Sequence, residues 1–188
     1  MDVNLTNLFK GAEQGNVAEI AKAISSGVNV NSEDEDGESA LFLSLSEGNL
    51  DAAKYLIGAG ADYKLVNKDG ESVLHAAVYS NNLECIDYAL DLIKNIDISD
   101  SEGLTPIYHA IENDDLEVFN FFISNGASLR EQDNDGWSLL HLAADKGDVS
   151  FVRRLLELGV RDDLLTNKGN TAKELALVKG HVEIAGLL

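Results

Sequence analysis

The sequence offers paired hydroxyl and imidazole groups, one thiol and many carboxylates as groups able to do chemistry. Ser72 stands three residues before His75, and Ser138 three before His141. That spacing would let an imidazole take a proton from a serine, as nucleophilic catalysis requires. Cys85 is the only cysteine, so it builds neither an internal disulfide nor a thiolate metal site by itself. His109 and His181 belong to no H-x-x-x-H pair or Cys/His cluster, so no metal site is expected. No phosphate-cradling G-x-x-x-x-G-K-[ST] or G-x-G-x-x-G loop occurs, and no cofactor is expected. Carboxylates are so numerous that any one pair of them is uninformative.

What positions these residues is a repeat. Turn glycines stand at Gly37, Gly70, Gly103, Gly136 and Gly169, 33 residues apart each time, with Asn4 one period earlier. Two residues after each comes a hydroxyl: Thr6, Ser39, Ser72, Thr105, Ser138 and Thr171. A Ser or Thr just past a turn is a helix N-cap candidate, because its oxygen accepts from the backbone N–H two or three residues on. An apolar column follows at Leu8, Leu41, Leu74, Ile107 and Leu140, broken by Lys173. Next comes a helix-ending slot at Gly15, Gly48, Asn81, Asp114, Gly147 and Gly180. A second apolar helix then closes on Gly27, Gly60, Gly126 and Gly159.

Each period reads as turn, short helix, tight turn, second helix, loop. Such helices are too short to stand alone in water, so neighbouring units must stack to share a core. The expected fold is all-α, one domain over 1–188, with units at 4–36, 37–69, 70–102, 103–135, 136–168 and 169–188. His75 and His141 share a column with Phe9, Phe42, Tyr108 and Glu174. That substitution pattern favours a packing and turn-bracing role over a catalytic dyad. Cys85 falls on the inner face of its helix and reads as a buried, inert thiol.

The stretches GWSLLHLAADKGDVSFVRRLLELGV (136–160), GESALFLSLSEGNLDAAKYLIGAGAD (37–62) and LTPIYHAI (104–111) resemble the ankyrin repeat. The resemblance covers essentially the whole chain. It implies a solenoid of helix-turn-helix pairs joined by hairpin-like loops, and a non-enzymatic protein-binding role. It also implies a structural role for the His column, bonding groups near the turn. Some positions depart from the pattern. Ile93, Asn95 and Ile96 replace most of a Gly-Ala-Asp segment, which predicts a locally altered loop. Lys173 and Glu174 make the last unit polar, as a solenoid cap requires.

The charge balance bears on partners. There are 33 Asp and Glu against 14 Lys and Arg, a formal net charge of −19. Such a surface repels nucleic acid and anionic lipid and attracts basic partners. No apolar run is long enough for a membrane helix and no secretory leader is evident, so a reducing cytoplasmic or nuclear setting is expected.

In ankyrin solenoids the turn tips and first helices form a concave groove. Here those slots hold Glu35, Asp36, Glu38, Glu47, Asp69, Glu71, Tyr79, Glu102, Leu104, Glu112, Asp135, Trp137 and Asp145. The expected partner is a protein with a basic Lys/Arg-rich segment, bound by a monomer, with Trp137, Tyr79 and Leu104 as apolar anchors. A second reading makes the chain the targeting domain of a longer enzyme or channel. A third takes the acids as a solvated coat that keeps the chain soluble.

Overall fold

The computed structural model describes residues 3–188. Among them the chain forms helices in pairs. These are α1 (Val3–Glu13) with α2 (Val17–Ser25), α3 (Ala40–Ser46) with α4 (Leu50–Gly58), and α5 (Val73–Tyr79) with α6 (Leu83–Ile93). They continue as α7 (Pro106–Glu112) with α8 (Leu116–Ser124), α9 (Leu139–Lys146) with α10 (Val149–Glu157), and α11 (Ala172–Lys179) with α12 (Val182–Leu187). The second helices begin at Val17, Leu50, Leu83, Leu116, Val149 and Val182, so the sequence period is the backbone period. The chain divides into two compact units between Ser101 and Glu102, with α1 to α6 in the first and α7 to α12 in the second.

The hydroxyl column starts the first helices. Ser39 Oγ accepts from Phe42 N–H, Ser72 Oγ from Leu74 N–H, Ser138 Oγ from His141 N–H, and Thr171 Oγ1 from Glu174 N–H. Each satisfies a donor the helix itself cannot. Thr105 makes no such bond, and Pro106 occupies the first helical turn, where a missing N–H costs least. Thr6 departs from its column. It lies inside α1, which starts at Val3, and so does not stand at a helix start. The physical reason is local: position 4 is Asn rather than Gly, and it continues the helix.

All six residues of the helix-ending slot take positive φ: Gly15, Gly48, Asn81, Asp114, Gly147 and Gly180. The loop after α6 is altered as the departures predict. The helix runs through Ile93, and the left-handed residue is Lys94 at φ 60°.

Turn tips are stitched from repeat to repeat by backbone bonds. In the first unit Lys68 N–H donates to Asp36 O (3.0 Å) and Ser101 N–H to Asp69 O (2.9 Å). In the second unit Asn134 N–H donates to Glu102 O (2.9 Å) and Asn167 N–H to Asp135 O (2.8 Å). This close approach demands glycine at Gly136, which has φ +79° and where a Cβ would sit 2.8 Å from Asn167 N. Inside each turn an acid or amide braces the backbone. Asp34 Oδ1 accepts from Asp36 and Glu38, Asn67 Oδ1 from Asp69 and Glu71, and Asp133 Oδ1 from Asp135 and Trp137.

The predicted apolar column is the core. Leu8, Leu41, Leu74 and Leu140 are fully buried and Ile107 nearly so, while Lys173 is exposed on the last repeat. In the second unit Phe119 and Phe151 meet edge to face at 5.2 Å, joining α8 to α10.

Candidate partner-binding surface

The apparent Ser/His pairs are turn braces. The backbone N–H of Ser72 donates to Nδ1 of His75 (3.1 Å), and that of Ser138 to Nδ1 of His141 (3.1 Å). A backbone N–H only donates, so Nδ1 is the acceptor in both rings and the mobile proton sits on Nε2. Nε2–H of His141 donates to Asn170 O (3.1 Å). Together with the serine caps, these bonds are capping boxes in which His replaces the usual Glu. Glu174 plays that part in the last repeat, where Oε2 accepts from Thr171 N–H at 2.8 Å. Ser72, His75, Ser138 and His141 are all buried, so no substrate reaches them.

Cys85, His181 and His109 each have a defined environment. Cys85 is buried, and burial pushes its thiol pKa up, with Glu84 adding to the effect. His181 Nε2 bonds the carbonyl of Asp145 at 3.0 Å and so ties α12 back to α9. Nδ1 of His109 bonds Glu112 Oε2 at 2.9 Å. That hydrogen bond is the main cause holding the Glu112 carboxyl below its usual range.

The residues of the expected groove fall into two electrostatic groups. In the first unit Glu35, Asp36, Glu47 and Asp69 are exposed and Glu38 is half-buried. None of these five makes an ion pair among the described residues. Lys68 is spent on the backbone carbonyl of Glu35, not on a carboxylate. Burial raises the pKa of Glu38, and Asp34, Asp36, Glu71 and Glu13 push it further up. Glu71 behaves differently. It is buried, one carboxylate oxygen accepts from the Tyr79 hydroxyl, and the other accepts from Asn67 Nδ2 at 2.7 Å. Its charge therefore serves the turn. Tyr79 keeps 40% of its surface exposed.

In the second unit acids of the first helices and of the turn after α7 have partners beside them. Glu112 is bonded by His109, Lys146 Nζ lies 2.8 Å from Asp114, and Lys179 Nζ lies 3.1 Å from Asp145. Glu102 and Asp135 remain exposed at the turn tips, and Leu104 is half-buried. Trp137 is half-buried beside the His141 ring (6.3 Å between centroids), and its carbonyl accepts from the Tyr108 hydroxyl. The tryptophan backbone is thus fixed, and the residue keeps part of its surface exposed.

Sequence reasoning missed the bracing column of Asp34, Asn67 and Asp133. The signal was present as a polar residue three before each turn glycine. No helix among the described residues is long and apolar enough to cross a membrane.

The family model for ankyrin repeats matches residues 8–100, 49–133 and 107–188, overlapping stretches that together span nearly the whole chain. Comparison with curated proteins gave no match. With the paired helices, capped turns and unbroken period in place, the chain belongs to the ankyrin repeat family.

Proposed function

We propose that this chain is a non-catalytic binding module that holds a basic segment of another protein against the turn tips and first helices. Ankyrin repeats are protein-interaction modules, and the nature of the partner follows from charge. The observation that carries the reading is the uncompensated acidity of the first unit. Glu35, Asp36, Glu38, Glu47 and Asp69 lie on its turn tips and first helices without ion-pair partners among the described residues. Carboxylates held that way raise the affinity for lysine and arginine and steer a cationic partner, in a salt-dependent manner. The second unit neutralises its own first-helix acids, so there the half-buried Trp137 and Leu104 supply apolar contact.

The test is affinity capture from native extract at low and moderate salt, repeated with Glu35, Asp36 and Glu38 all changed to Lys, and with Trp137→Ala. A basic protein that is captured by the unaltered chain, released by salt and lost in the Lys variant supports the reading. Capture indifferent to salt and to both variants makes the acids a solubility feature instead.

A further inference from the structure

One cavity of the second unit is lined by loop residues rather than by turn tips or first helices. Its walls are the loop that follows α8 (Ala127, Ser128, Leu129, Arg130) and the loop that follows α10 (Leu158 to Arg161, with Leu164). Its volume is about 700 Å³, within the range of sites that enclose small molecules. Leu129, Leu158, Val160 and Leu164 are half-buried around it. Two of the four arginines in a chain of net charge −19, Arg130 and Arg161, stand exposed at its lip.

We propose that this cavity binds a small organic anion, a carboxylate carried on a short apolar body. The carboxylate sits at Arg130 and Arg161, and the body lies among Leu129, Leu158, Val160 and Leu164. Asp163 already shows the head-group geometry. Its two oxygens accept from Nε (2.8 Å) and Nη2 (2.9 Å) of Arg161, the planar fork that guanidinium offers to a carboxylate. A guanidinium has five N–H donors, so three remain on Arg161 after that bond. Glu131, Asp162 and Asp163 stand close in sequence to the two arginines. Their charge favours a singly charged carboxylate over a doubly charged phosphate. Asp163 is then a built-in competitor for the same guanidinium.

The test uses decanoate as probe on the full chain, followed by NMR of leucine and valine methyl groups, with decanol as the uncharged control. Saturable shifts of the Leu129, Leu158, Val160 and Leu164 methyls are expected with decanoate, and weaker binding with decanol. Arg161→Gln and Arg130→Gln should each weaken decanoate binding by about tenfold, the loss of one charge-assisted hydrogen bond. Asp163→Asn should tighten it by removing the competitor. All three positions are exposed, so the core is left alone. The proposal is overturned if those methyls show no saturable shift. It is equally overturned if decanol binds as tightly as decanoate, or if the arginine variants bind unchanged and Asp163→Asn brings no gain.

Discussion

Lys179 Nζ stands 3.1 Å from Oδ2 of Asp145, one repeat earlier, and so removes a carboxylate from the acidic set that the sequence displays. Lys179 is half exposed, so screening keeps the pair weak. Lys179→Ala should lower stability by less than about 1 kcal/mol in urea unfolding. Its larger effect should be electrostatic, with added affinity for a Lys-rich peptide at low salt. A variant that loses several kcal/mol would show that the pair is structural rather than neutralising.

The first unit offers the opposite case. Glu38 is held above its ordinary pKa by burial and by neighbouring acids, so folding favours its protonated form. Between the unfolded pKa and the raised folded pKa the native state binds more protons, and stability falls as pH rises through that window. The loss is complete above the folded pKa. Glu38→Gln should therefore stabilise the chain at pH 7, and the gain should vanish below the usual carboxylate range, about pH 4. Thermal unfolding at both pH values checks the sign.

His141 gives a pH dependence of the other sense. Burial depresses its pKa, against the opposing pull of its bond to Asn170 O. The unfolded chain then takes up the proton first, so stability is full above roughly pH 6.5 and is lost as pH falls through the folded pKa. The urea midpoint should drop between about pH 7 and pH 5, and His141→Gln should flatten that step.

The fully buried Leu74 and Leu140 test the stacking of repeats. Leu74→Ala or Leu140→Ala should cost roughly 2–5 kcal/mol, from lost burial and the cavity left behind. An unchanged unfolding midpoint in either variant would remove that column from the core.

Gly136 tests the stitched turns. A Cβ there meets Asn167 N at 2.8 Å while the backbone holds φ +79°. Gly136→Ala should destabilise by about 1–3 kcal/mol, and amide exchange at Asn167 should accelerate. Gly169 has the same sign of φ, but a Cβ there meets nothing within 4 Å, so Gly169→Ala should cost less.

The period, the capped helix starts, the helix-ending slots and the buried leucine column were all legible in the sequence, because each depends on residues close together in one repeat. A Ser followed three residues later by His states its own capping box. Ile93 in place of Gly stated the altered loop, though only the backbone placed the left-handed turn at Lys94. The start of α1 was misjudged at Thr6 because a column was carried onto a unit whose position 4 is not Gly.

Charge was the property that single-repeat reasoning could not resolve. By itself the sequence determined that the turn tips and first helices are acidic. Only the tertiary structure decided which of those acids carry free charge. Glu71 turns inward to Asn67 and Tyr79, and Asp145 meets Lys179 across 34 residues of chain, while Glu35 and Asp36 stay exposed. The physical reason is that a carboxylate's partner is set by side-chain direction and by the register of successive repeats. The folded turn sets the first, as at Glu71, and the second arises only when the units stack, as for Asp145 and Lys179.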